Sequence, residues 1–107
     1  MTEPQSDPAP AFRLLGKRWN GLLLSVLLRG PAGYAELRRS VPGIGDSMLS
    51  ERLAELTEAG LCERAVTSGP PIAVTYRLTP SGRALGPTFE ALTAWEAHHL
   101  PAPHTPR

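Results

Sequence analysis

The chain has 107 residues, which is enough for one domain and too few for a two-domain enzyme. Its formal net charge is only +1 at pH 7, and 41% of its residues are hydrophobic, as in an ordinary globular protein. The 12 prolines exceed average usage and concentrate near the two ends. We therefore predict a disordered tail over residues 1–11, one folded domain over residues 12–100 and a second disordered tail over residues 101–107.

Several classes of chemistry are excluded by what the sequence lacks. Cys62 is the single cysteine, so the chain cannot form an intramolecular disulfide or a cysteine-rich zinc site. His98, His99 and His104 include no pair at i, i+4 spacing, and we expect no bound metal. No nucleophile with an adjacent base and no Gly-rich phosphate loop can be assembled. We therefore predict that the chain is not an enzyme and uses no cofactor.

Charge and hydropathy patterns indicate which kind of partner the protein has. Residues 13–83 carry ten Lys and Arg against six Asp and Glu, an excess that is compatible with a DNA-binding domain. The sequence shows no signal peptide and no uninterrupted apolar run of about 18 residues. We therefore expect a cytoplasmic protein that has no membrane partner.

Two helices are predicted in the first third of the folded region. Apolar residues at i, i+3, i+4, i+7 and i+8 spacing predict a first helix, which ends at Gly30. A short second helix is predicted over residues 34–39, with Tyr34 and Leu37 turned inward, before Pro42 breaks the chain. The predicted inner face of the first helix consists of Trp19, Leu22, Leu23, Val26 and Leu27.

A longer third helix follows. It is predicted to begin at Asp46, whose side chain can cap the amide of Leu49. Leu49, Leu53 and Leu56 share its buried face, and Gly60 ends it. Two helices joined by a short turn, the second of them longer and regular, form the outline of a helix-turn-helix.

A β-hairpin is predicted directly after the third helix. Residues 61–67 and 73–79 are rich in Val, Thr and Tyr, and the segment 68–71, Ser-Gly-Pro-Pro, supplies the turn between them. A hairpin in this place is the wing of a winged helix-turn-helix. The predicted fold class is therefore mainly α with a β-hairpin wing.

The last helix is predicted from Pro87 to Leu100. Thr79 caps a short helical segment that has Pro80 at its first position, and Gly86 interrupts that segment. In a domain of this size the long helix has little monomer core left to cover, so its apolar stripe is a candidate dimer surface. The stripe consists of Phe89, Leu92, Trp95 and His99.

Several short segments occur in a characteristic order along this scaffold. They are Leu15-Gly-Lys-Arg-Trp-Asn-Gly-Leu-Leu-Leu24, Tyr34-Ala-Glu-Leu-Arg-Arg39, Pro42-Gly-Ile-Gly-Asp-Ser-Met-Leu-Ser-Glu-Arg-Leu-Ala-Glu-Leu56, Ala59-Gly-Leu61, and Tyr76-Arg-Leu-Thr79 with Gly82-Arg83. Over roughly residues 12–96 the chain resembles the HxlR family of bacterial winged helix-turn-helix transcriptional regulators.

The resemblance implies a homodimer that binds a partly palindromic double-stranded DNA operator. Our leading hypothesis is a repressor, although the sequence does not distinguish a repressor from an activator. The first and last helices would form the dimer contact. The helix over residues 46–59 would enter the major groove, where base edges are distinguishable, and the hairpin over residues 64–78 would approach the minor groove or the flanking backbone.

The candidate site residues divide by expected role. Residues in the first turns of the third helix are expected to contact base edges: Ser47, Met48, Ser50, Glu51 and Arg52. Basic residues elsewhere are expected to contact the DNA backbone: Lys17, Arg18, Arg38, Arg39 and Arg77. The expected dimer interface contains Trp19, Phe89, Leu92, Trp95 and His99. Glu55 and Glu58 are expected to be solvated.

Two other functions stay open at this point. Gly45 and Ser47 stand where the family commonly has a serine and a basic residue, and Ile72 follows the paired prolines where an arginine is common. This less basic face leaves open a protein-interaction module that has lost DNA binding. A regulator with a small-molecule effector pocket at the dimer interface is the other alternative.

The position of the single cysteine bears on whether the protein could sense oxidants. Several family members sense electrophiles or oxidants through a cysteine just ahead of the first helix, and residues 9–15 contain no cysteine here. Cys62 occupies a position where an apolar residue would face the core. We therefore expect a buried, unreactive thiol.

Overall fold

The computed structural model describes residues 10–101 of the chain. Within them the elements follow in the order of a winged helix, with a three-stranded antiparallel sheet of order β1-β3-β2. The elements are α1 (Pro10–Leu15), α2 (Asn20–Arg29), β1 (Ala32–Gly33), α3 (Tyr34–Ser40), α4 (Asp46–Glu58), β2 (Cys62–Val66), β3 (Val74–Leu78), α5 (Pro80–Arg83) and α6 (Gly86–His99).

Helix α1 was not predicted, and it begins two residues inside the predicted N-terminal tail. Pro10 is its first residue. Proline suits this position because its ring fixes φ near the helical value and because the first amide of a helix has no hydrogen-bond partner within the helix. The rest of the predicted tails, residues 1–9 and 102–107, lies outside the described residues.

Helix α2 presents a different face to the core from the one predicted. Leu23, Leu24 and Leu27 are buried, whereas Leu22 is 50% exposed. The predicted inner face was therefore wrong at Leu22 and omitted Leu24. Because three leucines follow one another at residues 22–24, the local pattern is apolar on more than one side, and only the packing against the rest of the domain selects the inner face.

The helix-turn-helix formed by α3 and α4 confirms the predicted pair. Leu37 of α3 is fully buried, and Val41 and Ile44 anchor the connecting segment in the same core. Gly43 has φ +92°, a conformation that favours glycine, and this allows the tight turn between the two helices. The predicted buried face of α4 is confirmed at Leu49, Leu53 and Leu56.

The predicted N-cap of α4 was wrong by one residue. Gly45 is the N-cap, and its carbonyl oxygen accepts the 2.9 Å hydrogen bond from the amide of Leu49. Asp46 is already helical, and its carboxylate pairs with Arg38 instead of capping. The C-terminal prediction is confirmed, since Gly60 follows the C-cap Ala59 and has φ +80°.

The predicted wing is confirmed, with each strand shorter than predicted by one residue at each end. Strands β2 and β3 pair antiparallel from Cys62 opposite Leu78 to Val66 opposite Val74. Strand β1, which is only two residues long, pairs with the other edge of β3. So short a strand carries no alternation that a sequence pattern could detect.

The C-terminal helices follow the prediction closely. Thr79 Oγ1 accepts a 3.1 Å hydrogen bond from the amide of Gly82, and Pro80 begins α5. Helix α6 begins at Gly86, one residue before the predicted start, and none of its residues is buried. Among the helices described in residues 10–101, none has the length and apolar character that crossing a membrane requires.

Candidate nucleic-acid interface

The first turns of α4 present a polar, solvent-exposed face. Ser47, Ser50 and Glu51 are exposed there, and Met48 is 38% exposed beside them. Leu49, on the opposite side of the same turns, is fully buried and holds this face outward. The structure thus brings together four of the five side chains predicted to contact bases.

Arg52, the fifth, does not share this face. Its side chain is only 14% exposed, and its guanidinium Nη1 lies 2.9 Å from Glu55 Oε1. Its Nε is buried and has no hydrogen-bond partner among the described residues. The prediction that Arg52 points outward is therefore wrong, because pairing with a carboxylate one turn further along α4 draws the side chain onto the protein surface.

A hydrogen-bonded cluster joins α3 to the start of α4. Tyr34 Oη donates to the carbonyl oxygen of Asp46 at 2.9 Å and lies 3.0 Å from Ser50 Oγ. Arg38 Nη1 donates to Asp46 Oδ1 at 2.5 Å. Tyr34 was predicted only as an inward-facing residue. Its position four residues before Arg38, on the same face of α3, is the sequence signal that could have placed it in this cluster.

A second polar cluster surrounds Glu55 on α4. Lys17 Nζ donates to Glu55 Oε2 at 2.7 Å, and Asn20 Nδ2 donates to Oε1 at 3.2 Å. Asn20 is fully buried and also donates to the carbonyl oxygen of Leu14 at 2.8 Å. The expectation that Glu55 is merely solvated was wrong, whereas Glu58 is exposed as expected.

The electrostatics of this cluster favour the charged carboxylate. The hydrogen bond from Lys17 lowers the pKa of Glu55, with help from Asn20 and the nearby Arg52 charge and against the opposing effect of partial burial. Lys17 keeps 45% of its side-chain exposure but is already paired. A phosphate that contacts Lys17 must therefore share its charge with Glu55.

The other predicted phosphate-contacting residues differ in how far their charges are compensated. Arg39 is exposed and has no ion-pair partner within residues 10–101. Arg18 stacks over the Trp19 ring, with 4.5 Å from its guanidinium carbon to the ring centroid. Arg77 Nε lies 2.7 Å from Glu63 Oε2 across the hairpin. Arg39 is therefore the member of the set that offers the least compensated charge.

One basic residue of the wing was missed by the sequence reasoning. Arg64 on β2 lies opposite Tyr76 in the β2–β3 register and is exposed. It has no ion-pair partner in the described part of the chain. Alternation along the strand places Arg64 on the same face as the buried Cys62, so the sequence pattern did not indicate that Arg64 would be exposed.

An apolar groove of about 730 Å³ runs between the N-terminal helices and α6. Phe89 is half-buried at its base, while Leu92 and Leu22 at its sides are 59% and 50% exposed. Trp95, 50% exposed, and His99 extend the exposed stripe toward the end of α6, with their ring centroids 5.8 Å apart. Phe12 and Leu22, which were not predicted as interface residues, line the same groove.

Trp19, which was also predicted to be part of the dimer interface, is not among the residues that line this groove. It is half-buried and packs against the core, and its ring is 3.6 Å from the position that a Cβ on Gly43 would occupy. The tryptophan therefore supports the turn of the helix-turn-helix and does not line the groove beside α6.

Cys62 is buried, as predicted, at 2% exposure. Burial raises the pKa of its thiol, although a hydrogen bond with Thr57, whose Oγ1 lies 3.4 Å from Sγ, acts in the opposite direction. Across residues 10–101 no three His, Cys, Asp or Glu side chains are grouped as a metal site would require. His104 lies outside the described residues.

Comparison with known proteins agrees with this architecture. The sequence model of the HxlR-like helix-turn-helix family matches residues 14–104. The HTH-type transcriptional regulator YodB of Bacillus subtilis is 46% identical over 85 residues, which cover 79% of this chain and 76% of YodB. A transcriptional regulator of the MarR family from Porphyromonas gingivalis W83 has a TM-score of 0.79 at 25% identity, covering 94% of this chain and 98% of that one.

The solved structure of reduced YodB superimposes with a TM-score of 0.81 at 39% identity and covers 97% of this chain and 100% of that one. YodB has also been solved after diamide treatment and in a quinone-bound form. These proteins are transcriptional regulators and not enzymes. The chain, a winged helix-turn-helix, belongs to the HxlR-like helix-turn-helix family of DNA-binding transcriptional regulators.

Proposed function

We propose that this chain is a homodimeric, sequence-specific transcriptional repressor that acts on chromosomal DNA in the cytoplasm. The observation that carries the proposal is the exposed face of α4 formed by Ser47, Met48, Ser50 and Glu51, with α3 and its exposed Arg39 alongside. A helix with a polar first turn fits the major groove, and the preceding helix then crosses the phosphate backbone.

The proposed contacts differ in what they contribute. Side chains in the first turns of α4 contact base edges and supply specificity. Arg39 and Arg38 contact phosphates from α3, and Lys17 and Arg18 do so from the connection between α1 and α2. On the wing, Arg64 joins Arg77 as a contact to the backbone beside the minor groove. These contacts supply affinity that depends on salt.

The proposed dimer forms through the exposed stripe of α6. Leu92 and Trp95 are exposed to solvent in the single chain, and the groove beside them continues the apolar surface to Phe12 and Leu22. A large apolar side chain that is exposed to solvent is stabilised when a partner covers it. Two-fold symmetry then places two copies of α4 on one side of the duplex, which requires a partly palindromic operator.

A gel-shift titration tests the proposal. A duplex that spans the promoter of the chain's own gene is titrated with the full chain in the presence of excess competitor DNA. We expect a specific complex at physiological salt whose stoichiometry is two chains per duplex. Absence of any complex at both low and physiological salt would favour the protein-interaction module instead.

A small-molecule effector is a second candidate function, and the groove beside α6 favours it. The groove has the size of a typical ligand site and an apolar lining that includes Leu15, Leu22, Phe89 and Leu92. YodB, a relative, has been solved with a bound quinone. Titration of the protein–DNA complex with a quinone tests this candidate, since an effector would change the apparent Kd for DNA and the melting temperature of the free protein.

A further inference from the structure

The direction of the hydrogen bonds between α3 and α4 follows from the chemistry of their atoms. Tyr34 has one hydroxyl proton, and its Oη lies 2.9 Å from the carbonyl oxygen of Asp46, which can only accept. The tyrosine proton is therefore committed to Asp46. Ser50 Oγ lies 3.0 Å from the same Oη, so the serine must be the donor in that bond.

With this assignment, the exposed side of the Ser50 hydroxyl can only accept hydrogen bonds. Its one hydroxyl proton is directed at Tyr34, back toward α3. The lone pairs of Oγ that remain face away from that bond, and Ser50 is exposed in the first turns of α4. Toward a ligand Ser50 therefore accepts hydrogen bonds and donates none, although an isolated serine does both.

We propose that Tyr34 is a specificity-determining residue, which holds the Ser50 proton and so makes Ser50 an acceptor that selects an exocyclic amino group of a DNA base. In the major groove these groups are adenine N6 and cytosine N4, whereas guanine and thymine present a carbonyl oxygen at the corresponding place. An oxygen that can only accept forms a hydrogen bond with the amino group of adenine or cytosine. It forms none with the carbonyl oxygen of guanine or thymine. The inference rests on the proposed function, because it needs α4 in the major groove.

A purely structural role for Tyr34 makes a different prediction. If its hydroxyl only fastened α3 to α4, the variant Tyr34→Phe would change stability or would weaken binding to all duplexes by the same factor. The preference for one base over another at a single pair would stay as it was. Base preference is therefore the readout that separates the two roles.

The experiment begins with a preferred duplex, selected from a random-sequence pool by the full chain. Each base pair is then exchanged by a transition, adenine for guanine or cytosine for thymine, and Kd is measured by fluorescence anisotropy. The proteins compared are the wild type, Ser50→Ala, Tyr34→Phe and Tyr76→Phe. Tyr76 serves as the matched control, because the same Tyr→Phe change there removes a hydroxyl that makes no hydrogen bond within residues 10–101. Tyr76 lies on strand β3, not on α3 or α4.

We expect one base pair in each half-site at which the wild type prefers the amino-bearing base by about fivefold, the usual effect of one hydrogen bond. Ser50→Ala should abolish that preference, and Tyr34→Phe should reduce it to below about twofold, because the freed serine hydroxyl donates as well as accepts. Tyr76→Phe should keep it. A base analogue that lacks only the amino group should weaken wild-type binding and leave Ser50→Ala binding unchanged.

Three results would overturn the inference and leave the proposed function intact. They are a selected duplex with no base pair that depends on Ser50, a preference for guanine or thymine at that pair, and a Tyr34→Phe profile parallel to that of the wild type. Failure of the selection to enrich any duplex would overturn the proposed function itself, and the inference would fall with it.

Discussion

Lys17 Nζ lies 2.7 Å from Glu55 Oε2, so the segment between α1 and α2 is tied to the second half of helix α4. Asn20 and Arg52 contact the same carboxylate, and both are largely shielded from solvent. Groups from three places in the chain thus converge on one half-buried side chain. Loss of its charge leaves several polar groups without a charged partner, which costs more than loss of a surface ion pair.

We expect Glu55→Gln to lower the free energy of unfolding by about 1–3 kcal/mol, because the mostly buried Arg52 loses its charged acceptor. Urea denaturation followed by circular dichroism measures this change. Glu58→Gln is the control, since Glu58 is exposed on the same helix and its substitution should change stability by less than about 0.5 kcal/mol. Equal stabilities of the two variants would contradict the structural role of Glu55.

The same contribution should depend on pH. The Lys17 hydrogen bond lowers the pKa of Glu55 from its ordinary value of 4.5. A carboxylate whose pKa is depressed by folding stabilises the folded state above its unfolded-state pKa, and this stabilisation is lost as pH falls through the folded-state pKa. The stability difference between the wild type and Glu55→Gln should therefore be full well above pH 4.5 and shrink below it. A constant difference across that range would show that the charge contributes nothing.

Arg39→Ala should weaken binding to operator and to scrambled duplexes alike. Each lost phosphate contact makes the dependence of log K on log salt shallower by roughly 0.9, or about twice that for a symmetric dimer. Titrations at several salt concentrations measure the slope. Arg39→Lys, which keeps the charge, should keep the slope. A selective loss of operator binding by Arg39→Ala would mean that this residue contacts bases.

Leu92→Asp should convert the proposed dimer to a monomer, because it places a charge in the apolar stripe of α6 where the partner would cover it. Light scattering measures the mass in solution. Leu92 is 59% exposed in the single chain, so the substitution should leave the monomer folded. Ala91→Asp adds the same charge to α6 at an exposed residue that does not line the groove, and it should remain dimeric. A dimeric Leu92→Asp would place the interface elsewhere.

DNA binding should not respond to diamide or peroxide. Cys62 is buried, its pKa is raised by that burial, and the chain has no second cysteine with which to form a disulfide. Gel shifts of the wild type and Cys62→Ser, with and without oxidant, should therefore agree. Release of DNA by the oxidised wild type, together with retention by Cys62→Ser, would identify Cys62 as a sensor.

Elements with a strong local pattern could be predicted from the sequence. Leu49, Leu53 and Leu56 repeat at helical spacing on a helix that is otherwise polar, so only one face of α4 could turn inward. The end of α4 at Gly60 and the helix cap at Thr79 each depend only on residues a few positions away in the sequence. Both predictions are confirmed. The hairpin likewise depends on strands separated by a short turn.

Interactions between residues distant in the sequence were decided only by the tertiary structure. The apolar run at residues 22–24 suits more than one inner face, and packing selects Leu24 over Leu22. Glu55 was expected to be solvated, but Lys17, which is 38 residues away from it along the chain, donates a hydrogen bond to its carboxylate. The sequence by itself therefore determined the helix-turn-helix pair, the end of α4 and the start of α5, because helical periodicity and capping are local, whereas α1 was not predicted. The tertiary structure determined which polar side chains of α4 remain exposed, because burial and contacts such as that between Lys17 and Glu55 join residues that local patterns do not connect.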